Sequence, residues 1–194
     1  MKQLSFGLLA LFLLQNAHAV SDNYLSKEFE AVSNLVRSES LVDASTETSK
    51  TTSLSVKGVD RRTNADCTLS VTLEIGQSNS AISSVSYALT SANENHHTLQ
   101  SIATSETYKN EESETETSPS KISIVTKTKH SLQSEKILVT AITTKKKTIG
   151  TMLSSKKEIT EKQKSIAFTK DGSNVRVDMI SYNSITKSCV FEAK

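Results

Sequence analysis

Ala65-Asp66-Cys67-Thr68-Leu69-Ser70-Val71-Thr72-Leu73-Glu74-Ile75-Gly76 decides how the rest of the chain is read. Cys67, Leu69, Val71, Leu73 and Ile75 share one parity; Thr68, Ser70, Thr72 and Glu74 share the other. Successive side chains of a strand point to opposite faces, so this stretch has one apolar and one wet face. It also holds one of only two cysteines.

The other cysteine, Cys189, sits in a similar setting, sharing parity with Phe191 and Ala193. Both thiols therefore face the apolar side of their strands. Residues 1–19 have the layout of a secretory leader: Lys2 at the start, an apolar run from Leu4 to Leu14, and the small-x-small triplet Ala17-His18-Ala19. That run is too short to span a bilayer. An even cysteine count in an exported chain predicts one disulfide, Cys67–Cys189. The mature chain, residues 20–194, holds about 175 residues, which suits one β-rich domain with a real core and no transmembrane segment. A periplasmic or secreted location follows, and the chain has no Asn-x-Ser/Thr glycosylation site.

Outward from residues 65–76, the same texture continues. From Thr46 onward Ser and Thr dominate, with Val, Ile and Leu spaced between them in alternation. Strands are expected around Thr52–Val56, Ala81–Thr90, His97–Tyr108 with a bulge, Lys121–Lys129, Lys136–Thr144, Thr148–Ser155, Ser165–Asn183 and Ile185–Ala193. Turns are expected at Gly76–Ser80 and Ser91–Asn95. Asp171-Gly172 between alternating apolar runs predicts a tight hairpin, because glycine accepts the positive φ that such a turn requires. Lys145-Lys146-Lys147 reads as an exposed turn, and Lys156–Lys164 as a charged connection. Lys109–Ser120, with Glu111, Glu112, Glu114, Glu116 and the only proline, reads as an exposed tip. Its spacing does not match a calcium loop. Before all of these, Leu25, Phe29, Val32 and Val36 recur at helical spacing within Asp22–Ser38, with Glu28 and Glu30 assigned to the polar side.

The fold class that follows is mainly β: an antiparallel sandwich or an open or closed barrel of about nine or ten strands, with one N-terminal amphipathic helix. In strand count alone it resembles lipocalin-like barrels, lipid-carrying half-barrels and sandwich adhesion domains, and no motif selects among them.

Charge is unevenly distributed. Val20–Ser120 carries 7 Lys/Arg against 15 Asp/Glu, and Lys121–Lys170 carries 12 Lys against 3 Glu. Mutual neutralisation of neighbouring segments is the expected outcome, in preference to a basic docking face. No nucleophile elbow, phosphate-cradling glycine loop or zinc spacing is present, so no catalytic, cofactor-binding or metal residue is assigned. His96 and His97 face opposite ways on a strand, and His130 is expected at the surface. The lack of tryptophan and the few aromatics disfavour sugar or nucleic-acid stacking. The expected function is an exported, non-enzymatic binding protein with a protein partner and no role for nucleic acid. The alternative is a carrier of a small apolar, lipid-like ligand in a barrel cavity. A third reading is a hydrolase using scattered carboxylates such as Glu74 and Asp178, both expected on solvated faces.

Overall fold

The computed structural model describes residues 24–76, 82–91, 96–102, 105–111, 120–151 and 154–194. Helix α1 covers residues 24–35. Eleven strands follow: β1 (Ser40–Ser45), β2 (Ser49–Asp60), β3 (Asp66–Gly76), β4 (Ile82–Ser91), β5 (His97–Ile102), β6 (Ser105–Glu111), β7 (Ser120–Leu132), β8 (Lys136–Thr151), β9 (Ser154–Asp171), β10 (Asn174–Ser181) and β11 (Ser184–Glu192). Every pairing is antiparallel. The expected leader, the turns at 77–80 and 92–95 and the acidic tip at 112–119 lie outside the described residues.

Sheet order is β5-β4-β3-β2-β11-β10-β9-β8-β7-β6, with β1 also on β2. Consecutive strands from β2 onward pair with each other, with one exception, and the runs β2–β5 and β6–β11 are joined into one sheet where β11 meets β2. The exception is β5 and β6, which sit at opposite ends of the sheet order. Laid flat, ten strands would span about 43 Å. Ile102 and Ser105 are three residues apart and cannot be separated by more than about 11 Å. The sheet must therefore roll until its two ends meet, and it stops one ladder short of a closed barrel. At the seam β5 leans on β7, β8 and β9, and the Ile102 amide donates to Thr128 Oγ1 at 3.2 Å.

Alternation supplies the inner face. Leu54, Val71, Tyr87 and Leu99 form one row across β2–β5, and Ile137, Phe168, Val177 and Cys189 form another across β8–β11. All eight are buried. Leu25, Val32 and Leu35 of α1 and the following Val36 fill the interior of the roll. Each such aliphatic side chain contributes about 1.5–3 kcal/mol by leaving water. The helix end is tied to the chain's end through the Val36–Ala193 bridge and the Lys194 amide on the Leu35 carbonyl at 3.1 Å.

The β2–β11 join is short: Gly58, Val59 and Asp60 against Phe191, Val190 and Cys189. Gly58 is required there. A Cβ on it would stand 2.2 Å from the Val190 carbonyl oxygen and 2.5 Å from the Phe191 ring. The Asp171-Gly172 hairpin forms as expected, with Gly172 at φ 60°. Between β10 and β11, Tyr182 and Asn183 both take positive φ, the requirement of the other tight hairpin turn.

Several expectations are corrected. Lys145–Lys147 is no turn but lies inside β8, and Lys156–Lys164 is no connection but lies inside β9. These stretches stand clear of the core, so nothing enforces apolar alternation, and ladder pairing with β8 makes β9 a strand. The single strand expected over His97–Tyr108 is two strands, β5 and β6. The edge strand β1 was not foreseen, because both of its faces are exposed.

Candidate functional site

Three polar arrangements interrupt or extend the apolar architecture. The first is centred on Glu28, which the sequence placed on the polar side of α1. In the structure Leu25, Glu28, Val32 and Leu35 share the buried stripe, and Glu28 is 0 % exposed. Tyr87 Oη donates to Glu28 Oε1 at 2.5 Å and Ser101 Oγ to Oε2 at 2.8 Å. His130 Nδ1 stands 2.7 Å from the same Oε2, at ion-pair distance without an aligned N–H···O bond. Tyr24 stacks on the His130 ring with centroids 6.2 Å apart, and Tyr87 packs on Phe168 at 5.9 Å. Burial, reinforced by the Glu28 charge and its hydrogen bond, pushes the Tyr87 phenol well above its ordinary value.

His130 therefore corrects the surface expectation; its side chain is only 15 % exposed. An acidic residue at i+3 within the helical stripe, and the shared parity of His130 and Leu132 in β7, were the available signals. Glu28 gathers β4, β5 and β7 on the two sides of the seam. Ser101 and His130 both address one carboxylate oxygen, so the order nucleophile–base–orienter of hydrolytic relays is not formed. The arrangement suits a buried latch, since a buried carboxylate is retained only with partners.

The second arrangement lies beside the disulfide. Cys67 and Cys189 are joined in the structure. Next to Cys189, Asp60 forms a buried ion pair with Lys187, whose Nζ also donates to Ser91 Oγ at 2.5 Å. Asp60 Oδ1 accepts the backbone amides of Arg62 at 2.7 Å and Thr63 at 2.9 Å, shaping the β2–β3 turn. The Lys187 hydrogen bond, against the opposing effect of burial, holds the Asp60 carboxyl well below the carboxylate range. A cleft of about 300 Å³, lined by Asp60, Arg62, Ile185, Thr186, Lys187 and Ser188, opens over this pair.

Glu74 and Asp178 are not brought together. Glu74 faces Thr51 of β2, whereas Asp178 faces Ser188, one residue from the Cys189–Asp60 pair. They are therefore about 30 Å apart along the strands, far beyond the reach of paired glycosidase carboxylates. Asp178 is also not solvated as expected: it is buried, accepting Arg176 Nε at 2.9 Å and Ser188 Oγ at 2.5 Å. Glu74 is half-buried and accepts Ser84 Oγ at 3.3 Å. Among the described residues no three of His, Cys, Asp and Glu group to hold a metal, and no helix is long and apolar enough to cross a membrane.

The third arrangement is a blade. β10 accompanies β9 only over Lys164–Asp171, so Ser154–Gln163 runs on with β8 and β7, and β6 borders β7 there over Ser105–Glu111. Residues 155–164 are exposed throughout. The lysine-rich stretch Lys121–Lys170 thus occupies the adjacent strands β7, β8 and β9, with β6 and its Glu106 and Glu111 paired along β7. Lys145, Lys162 and Lys164 project from the inner parity and Lys121, Lys127, Lys146 and Lys157 from the outer, all exposed. Compared with known proteins, the chain matches no family model, no curated protein and no solved structure.

Proposed function

We propose that this chain is an exported, non-enzymatic binding protein, periplasmic or secreted, and that it meets its partner with the β7–β9 blade. The observation that carries this reading is the blade itself: strands prolonged well past the helix-filled core and rich in lysine, with β9 exposed on both faces over residues 155–164. Strand length beyond the core adds little to burial, so its use is to be sought outside the molecule.

A photo-crosslinking side chain at Lys146 should capture a specific adduct in the native host envelope, whereas one at Lys57 on the opposite half should not. Adducts formed equally at both positions would remove the blade from the reading. The carrier alternative draws less support, because Leu25, Val32 and Leu35 occupy the interior that an apolar ligand would need. Native mass spectrometry of protein purified from its host should show the bare chain; a co-purified lipid would reverse the order of the two readings. Amino-terminal sequencing of that material should begin at Val20.

A further inference from the structure

The outer face of the blade carries an isoleucine that its surroundings do not explain. Ile159 is 66 % exposed, more than any other large apolar side chain among the described residues. It lies directly across from Lys146, with Lys157 two residues before it and Lys121 in the adjoining row. Lys127 lies two rows away on the other side, and Glu161 is the acidic residue on this face of β8–β9. The three strands β7–β9 span about 10 Å, and β6 continues the sheet beyond β7 with Glu106 and Tyr108 at the register of Val125 and Ser123.

Anionic polymers do not account for this combination. Sugar and base recognition draws on several aromatic platforms or on planar guanidinium groups; the outer parity of β7–β9 carries neither, and the bordering β6 adds the single Tyr108 at the register of Ser123. Lysine ammoniums are point charges that pair with any phosphate plane, and a protruding aliphatic side chain among them has a place to go only where phosphates overlie hydrocarbon. From this geometry, and resting on the reading of the blade as the working surface, we infer that the outer face of β7–β9 docks on an anionic phospholipid bilayer, with the lysines at the headgroups and Ile159 in the acyl boundary.

The chain has no tryptophan, so Ile159→Trp makes a single-site reporter. Its emission should shift to the blue on phosphatidylglycerol-containing vesicles and stay unchanged on pure phosphatidylcholine. In co-sedimentation, K146E/K157E should weaken binding at least about tenfold, on the scale of roughly fivefold per lysine near a charged surface. Ile159→Ser should weaken it several-fold without changing the salt dependence, and K50E/K57E on the opposite half should have no effect. Circular dichroism verifies that each variant is folded. Absence of vesicle binding, or binding that ignores K146E/K157E, overturns the inference. If dextran sulfate or single-stranded DNA binds through the same lysines while vesicles do not, the partner is a polymer and only the blade reading survives. If nothing anionic binds and Lys146 crosslinks nothing, both readings fall.

Discussion

Cys67 and Cys189 belong to strands that flank a third, yet their Cα atoms stand 6.4 Å apart. In a flat sheet two strand spacings and the two-residue offset between Gly58 and Asp60, their respective partners, would set them about 12 Å apart. The sheet is therefore creased along β2, and the crease runs at Gly58, opposite Cys67 on one side and Phe191 on the other. Gly58→Ala places a methyl group against a backbone oxygen and a buried ring. It should destabilise by about 1–3 kcal/mol, the usual cost of overpacking, and Gly58→Val by more. Urea unfolding followed by far-UV circular dichroism measures both.

Removing the cross-link acts on the unfolded chain. The cysteines are 122 residues apart, and closing so long a loop stabilises by about 2–4 kcal/mol in practice and up to about 5 in the chain-entropy model. Cys67→Ala/Cys189→Ala should lower the urea midpoint accordingly. Peptide mapping without reductant should recover the two cysteines in one linked fragment, and free thiols at both positions would contradict the structure.

Glu28 can be tested through pH. Tyr87 holds its proton in the folded protein while the unfolded chain releases it near 10.0, the ordinary phenol value. This contribution is complete below pH 10.0 and is lost as pH rises past it. Alkaline destabilisation should therefore be steeper in the native protein than in Tyr87→Phe. At neutral pH that variant should lose about 1–3 kcal/mol, because a buried carboxylate forfeits a donor. Glu28→Ala, which strands both the Tyr87 and the Ser101 hydroxyls, should lose more than Tyr87→Phe.

Asp60 acts at the other end of the scale. Its folded value is depressed below 3.8, so its contribution is full above that pH and drains away as pH falls below it. Asp60→Asn should flatten the acid limb of the stability profile. Asp60→Ala, which strands a buried Lys187 and two backbone amides, should cost more than Lys187→Met, which leaves Asp60 its amide partners. Thermal unfolding across the acid range separates the variants.

Leu69 and Leu73 sit four residues apart on one parity, but Leu69 is 0 % exposed and Leu73 only half-buried. Leu69→Ala should cost about 2–5 kcal/mol and Leu73→Ala clearly less, read from denaturant midpoints.

What could be read from the chain alone followed burial. Cys67 to Ile75, the Asp171-Gly172 turn and the pairing of the cysteines were legible because one face of each strand meets the core. Lys145–Lys147 and Lys156–Lys164 were not, since a strand with water on both faces has no alternation to display. Glu28 and His130 were missed for the opposite reason: their partners, Tyr87 and Ser101, lie on strands remote in sequence, and composition does not report a meeting inside the roll.

The three-residue join between β2 and β11 also has a temporal meaning. β2 leaves the ribosome among the first strands and β11 last, so the contact that joins the two halves of the sheet links residues about 130 apart. Until Phe191 arrives, the earlier strands form meanders, β2 is left with an unpaired edge at Gly58–Asp60 beyond its pairing with β1, and α1 is incompletely covered. The fold is thus indivisible: a chain stopped before Val190 would hold most of its hairpins and still lack an inside. Such non-local closure makes folding slow and leaves apolar strands open to aggregation while they wait.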